Sequence, residues 1–132
     1  MKTLIIKGQL NNLNDYTKAC RTYKMAGARM KKKNEKIITA YILQQLKGFS
    51  IEGQAELHFR WYEPNRKRDL DNIAFAKKFV LDALVSNGII IADGWKGVKG
   101  FTDLFFVDKE NPRIEVDIMK AGEEHGEHKE YF

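Results

Sequence analysis

Two aspartates one residue apart, Asp69 and Asp71, stand directly behind three consecutive basic residues, Arg66, Lys67 and Arg68, and ahead of an apolar run over residues 73–84. If "RDLD" is extended, both carboxylates point to one side. Two oxygen ligands so placed can chelate Mg²⁺, which takes one or two carboxylates together with waters and a substrate phosphate. Such an ion polarises a phosphodiester and orients the groups that react. Asp93, in a loop beyond the following helix and short connection, is the best candidate for a third acid. A plainer use competes with this chemistry: Asp71 as a helix cap, Asp69 paired with Arg66 or Arg68, and Asp93 in an Asp-Gly turn. Two features favour the chemistry. The acids sit in a basic setting that a phosphate substrate would require, and they recur where the chain changes direction.

A cation near that site would complete it. On a regular helix Lys78, seven residues past Asp71, shares nearly the same face at a Cα separation of roughly 10 Å, whereas Lys77 is turned aside. Lys78 could then stabilise charge developing on a phosphoryl group. Asp82 falls about 16 Å from Asp71 on the same reckoning, which suits a salt-bridge partner better than a metal ligand.

Several elements must position these residues. A strand is expected over residues 3–9, and a helix from Leu13 to about Tyr23, entered through "NNLND". Gly27 should interrupt it, with a second helix over 29–47. Alternation of Ala55, Leu57, Phe59 and Trp61 with polar neighbours predicts a strand stopped by Pro64. Ile73, Ala76, Phe79, Val80, Ala83 and Leu84 predict one helix of about four turns ending at Asn87-Gly88. Strands around 98–107 and through "PRIEVDIM" complete the order β, α, α, β, α, β, β. That order argues for a single α+β domain, a mixed β-sheet with helices packed on it, over residues 1–120. The acidic tail, 121–132, reads as disordered. His125 and His128 within it look like a fortuitous solvated pair, and Trp95, Phe101, Phe105 and Phe106 read as core or dimer packing rather than as base-stacking platforms.

Composition narrows the function classes. A chain of 132 residues with 43% hydrophobic content is globular in character. No window approaches the ~18 apolar residues of a membrane span, and no secretory pattern opens the chain, so a soluble intracellular protein without membrane contact is expected. The single cysteine, Cys20, excludes an internal disulfide and a thiolate metal cluster. Residues 1–48 carry eleven Lys/Arg against two acids, a net of +9, interleaved with Tyr16, Tyr23 and Tyr41. A basic surface of that kind suits a phosphate backbone, with Arg29, Lys31, Lys32 and Lys33 foremost.

At "RDLDN", at "DAL" in the next helix, at the aspartate after "NGII" and in a last strand with alternating acids, the sequence resembles the RusA family of Holliday-junction resolvases, found in phages and prophages. The resemblance runs from about Trp61 to Met119, with weaker agreement at "NDY" and "GARMKK". It implies a RusA-like fold and a Mg²⁺-dependent crossover junction endodeoxyribonuclease of the bacterial cytoplasm, with Mn²⁺ as a substitute and no organic cofactor. It further implies a homodimer that nicks symmetrically related strands of a four-way junction. The family's acids match Asp69, Asp71 and Asp93, implied as catalytic residues and metal ligands. Its catalytic lysine is reached ambiguously: counting on from "RDLDN" lands on Phe75, and counting back from "DAL" lands on Lys78. Lys78 is preferred, with Lys77 as fallback. An isologous dimer would match a junction's two-fold symmetry. Arg66, Lys67, Arg68 and Lys77 would join Arg29, Lys31, Lys32 and Lys33 in holding DNA through its phosphates.

Overall fold

Alternation along one strand organises the molecule. In β2, Ala55–Glu63, the side chains of Ala55, Leu57, Phe59 and Trp61 are buried against helices, in the computed structural model that describes residues 1–123. The other strands are β1, Lys2–Lys7, β3, Val98–Val107, and β4, Arg113–Lys120. They form a mixed sheet in the order β1-β4-β2-β3. β4 lies antiparallel to both β1 and β2, while β2 and β3 run parallel. Parallel neighbours require a crossover, and the segment holding the candidate acids supplies it. The result is the α+β domain with a mixed sheet that the element order predicts.

The helices are α1, Leu13–Thr22, α2, Ala26–Gln45, α3, Leu70–Ala74, and α4, Lys77–Ser86. α1 starts on a reciprocal capping box in which Asn12 and Asp15 each accept the other's backbone N–H. Gly27 is not what interrupts the first helix, which ends at Thr22; it lies inside the first turn of α2, which begins at Ala26. A Cβ there would stand 2.6 Å from Cys20 Sγ, so glycine lets α1 and α2 approach closely. Leu4, Ile6, Ile38, Ile42, Phe59, Trp61, Phe79, Leu84 and Val116 are among the core side chains shared by sheet and helices. Full burial of each such side chain contributes about 1.5–3 kcal/mol.

The four-turn helix expected across residues 73–84 is two helices instead. Phe75 and Ala76 keep right-handed backbone angles, but Ala76 N–H bonds to Ile73 O at 3.2 Å and Lys78 N–H to Phe75 O at 3.1 Å. These i→i+3 bonds tighten the chain into a 3₁₀-like turn. Phe75 is pinned there by Tyr16 and Phe79, with ring centroids at 5.2 and 5.6 Å. The turn falls in the interval where the two ways of locating the catalytic lysine part company. α4 ends as its Asn-Gly predicts: Gly88, at φ 71°, donates to Val85 O, and Ile89 donates to Leu84 O.

Past β4, Ala121 N–H bonds to Gln54 O at 2.9 Å, and Glu123 receives the amino terminus at 3.3 Å. The start of the expected tail is therefore tied down, whereas His125, His128 and the remainder of that segment lie outside the described residues. Among the described residues, no helix is long and apolar enough to cross a membrane.

Candidate active site

The loop between β2 and α3 is built by its own charges. Buried Glu63, at the end of β2, accepts from Gln9 Nε2 at 2.9 Å and pairs with Arg68 Nε at 3.0 Å. Arg68 also donates to Leu10 O at 3.1 Å, which binds this loop to the chain leading into α1. Asn65 Oδ1 accepts from Lys67 N–H at 3.0 Å and turns the loop outward, leaving Arg66 and Lys67 exposed.

Asp69 then takes the N-cap position of α3 with extended backbone, φ −71° and ψ 152°, and Leu70 begins the helix. "RDLD" is therefore only half extended, and the two carboxylates project from the first turn of a helix rather than from one side of a strand. The plainer uses of Asp69 and Asp71 are not realised. Asp69, at the N-cap in place of Asp71, makes no side-chain capping bond, and among the described residues the side chain of Asp71 accepts only from the adjoining Asn72 N–H, at 3.0 Å. Among the described residues neither takes part in an ion pair, although Arg66, Lys67 and Arg68 are close in sequence. Asp69, Arg66 and Arg68 line one wall of a 510 Å³ cleft, and Phe105, Phe106 and Val107 line another.

The turn at Phe75–Ala76 sends the adjacent lysines to different places. Lys77 folds inward: its ammonium is paired with Asp103 on β3 and lies 3.8 Å from the centre of the Phe101 ring. Asp103 also accepts from Trp61 Nε1 at 2.8 Å. Lys78 points outward, with its side chain 52% exposed against 12% for Lys77, and donates to Asp93 at 3.0 Å and Asp82 at 3.1 Å. The hydrogen bond from Lys78, foremost, holds the Asp93 carboxyl below the ordinary aspartate range. Bonds to Asp93 and then Asp82 hold the Lys78 ammonium above the ordinary lysine value. Both groups are charged at neutral pH.

Asp93 owes its position to a tight loop. Gly97 N–H and Val98 N–H both bond to Gly94 O, at 3.0 and 2.9 Å. A Cβ on Gly97 would lie 2.0 Å from Ala92 O, inside a backbone atom that cannot swing away. Gly97→Ala is therefore expected to displace the loop, lowering the melting temperature by several degrees and nuclease activity by tenfold or more. Thermal melts and cleavage assays on the variant check this; unchanged values in both would show that the loop can shift freely.

Residues 7–119 match the family model of endodeoxyribonuclease RusA, which is most of the chain. The chain belongs to the RusA family. No curated protein matches it. RusA-family membership makes the protein a nuclease of a family that resolves Holliday junctions and depends on divalent metal.

In this RusA-family chain, Asp69 and Asp71 suit a hard cation: both are exposed and oxygen-only, and among the described residues neither is occupied by a capping bond or an ion pair. Among the described residues no three of His, Cys, Asp and Glu are gathered closely enough to hold a metal ion. Asp93 is paired with Lys78 at 3.0 Å. Its partner is an exposed lysine, so a cation would compete with an exchangeable ammonium rather than a buried contact.

The basic residues divide in the same way. Lys32, Lys33, Arg66 and Lys67 are exposed. Arg29 is exposed and donates to the Tyr23 hydroxyl at 3.2 Å. Lys31 pairs with Asp82 at 3.1 Å, which joins α2 to the Lys78–Asp93 group, and Arg68 braces its own loop. Asp82 is the salt-bridge partner its spacing implied. Asp103 escaped sequence reasoning because its pairing with Lys77 depends on the β2–β3 register, in which Phe59 stands opposite Asp103. Of the four aromatics expected in packing, Phe105 stacks on Trp61 at 6.5 Å and packs against the core. Phe106 stacks on Tyr62 at 4.9 Å, and Phe101 carries Lys77. Trp95 is 90% exposed, so of the two uses expected for it core packing does not hold.

Proposed function

We propose that the protein resolves four-way DNA junctions by paired symmetric nicks, as a Mg²⁺-dependent homodimer in the bacterial cytoplasm, encoded by a phage or prophage. The observation that carries this reading is the pair Asp69 and Asp71, which neither caps nor pairs, close in the chain to an ammonium held by carboxylates, in a RusA-family fold. Asp69 and Asp71 would hold Mg²⁺, or Mn²⁺ in its place, with Asp93 as the third carboxylate. When bound, the ion polarises the scissile phosphodiester and offsets its negative charge.

The chain's own residues supply the rest. Lys78, once it leaves Asp93, carries a full positive charge to the non-bridging oxygens of the scissile group, where charge accumulates as the bond breaks. Asp82 holds that ammonium from the side, and Lys31 ties Asp82 to α2, so the cation is presented on a braced helix face. Arg66 and Lys67 orient the strand being cut through its phosphates, with Arg29, Lys32 and Lys33 following an adjoining arm. Such contacts carry no sequence information, which suits recognition of branch shape. Residues 1–120 form the nuclease domain in this reading, and 121–132 an acidic tail outside it.

A labelled synthetic four-way junction and a matching linear duplex, each incubated with Mg²⁺, Mn²⁺ or EDTA, test the proposal on a denaturing gel. Paired cuts on the junction alone, requiring metal, are expected. Binding without cuts would assign the protein to a DNA-binding accessory role, and cuts on flaps or forks alone would replace the junction by other branched phage DNA.

A further inference from the structure

The loop that carries Asp93 also carries the most exposed large hydrophobic side chain among the described residues, Trp95. An indole left in water forgoes burial worth a few kcal/mol, yet the backbone beneath it is firmly held. Gln54 Nε2 donates to Trp95 O at 2.7 Å. Gly94 accepts two backbone bonds, and Gly97 is packed onto Ala92 O. The ring is therefore offered outward from a preorganised loop. Asp93 is two residues away, which limits the Cα separation to about 7 Å.

We propose that Trp95 is a stacking platform for a nucleobase at the branch of the DNA substrate, where bases lose a stacking neighbour. The inference rests on the nuclease reading for its substrate. Exposed Lys96 and Lys99 follow Trp95 in the chain, and a basic segment with an outward aromatic fits nucleic acid with unstacked bases. A contact between two copies of the chain would call for a contiguous apolar patch. Here only Ile91 adds apolar exposure within a loop that otherwise shows Asp93, Gly94 and Lys96 to solvent.

The chain's two tryptophans make the test direct. Trp61 is buried between Phe59 and Phe105, so Trp95 is the one that reports on solvent. With the full chain in EDTA, four-way junction is expected to quench the exposed emission and shield it from iodide, and linear duplex at equal occupancy is not. Trp95→Ala should weaken junction binding by about 5- to 150-fold while changing duplex binding by less than about twofold, the range alanine substitution gives for one base–aromatic stack. Trp95→Phe should restore part of the loss.

Junction affinity unchanged in Trp95→Ala overturns the platform. So does a parallel loss on junction and duplex accompanied by a shift to monomer in sedimentation, which would make Trp95 a contact between copies. Wild-type protein that cuts junctions but shows no quenching overturns the platform and leaves the nuclease reading standing. Junction-specific quenching without metal-dependent cleavage does the reverse.

Discussion

Asp71→Asn is expected to lower metal-dependent cleavage by about 10³-fold or more while leaving the fold and junction affinity nearly untouched. The magnitude follows from the charge stabilisation a bound ion supplies, several kcal/mol, at 1.4 kcal/mol per tenfold. Selectivity follows from geometry. Asp71 is exposed, its one side-chain hydrogen bond among the described residues is from the N–H of Asn72, and an asparagine oxygen can keep that bond. Stability should shift by no more than about 0.5 kcal/mol, as for surface substitutions remote from special features. Asp69→Asn should behave alike, because no capping bond is lost. Single-turnover cleavage, gel-shift affinity and a thermal melt on each variant separate the effects. If melting temperature and binding fell together with activity, the carboxylates would belong to the architecture and the metal site would have to be sought elsewhere.

Replacing the two adjacent lysines should produce opposite kinds of damage. Lys78→Ala removes an exposed ammonium whose pairs with Asp93 and Asp82 contribute at most about 1 kcal/mol to stability. Cleavage should nevertheless fall by about 10²-fold or more, the scale of losing one group aimed at developing charge. Junction affinity should change little, since many phosphate contacts remain. Lys77→Ala leaves Asp103 without its ammonium in a partly buried setting and strips a cation from the Phe101 ring. A cost of about 1–3 kcal/mol in stability is expected, with cleavage per folded molecule largely kept. The comparison is read from kcat and melting temperature side by side. A slow, stably folded Lys77→Ala beside a fully active Lys78→Ala would move the catalytic role to Lys77.

Much of the chain could be read locally. Strand β2 was visible in its period of two, and the end of α4 in Asn87-Gly88, because those patterns reflect the geometry of a few consecutive residues. The helix break was not, since the apolar spacing of Ile73, Ala76, Phe79 and Val80 tolerates one tightened turn without losing its buried side. What tightens it is Phe75 wedged between Tyr16 and Phe79, and Tyr16 comes from another helix. Gly27 misled for a related reason: glycine marks a break in isolation, but here it serves close packing against Cys20.

The candidate site shows the same division. Residue types and spacing by themselves singled out the candidate acids, carried the resemblance to the RusA family and indicated the α+β class, because these depend on short motifs and on periodicity along the chain. Tertiary structure alone decided which lysine faces outward, that Asp93 is held by Lys78 rather than grouped with Asp69 and Asp71, and that Trp95 stands in water. Each of those outcomes turns on partners far apart in sequence, such as Lys77 with Asp103 or Gln54 with Trp95. Only sheet register and loop closure bring such groups together, and neither leaves a periodic trace in the residues themselves.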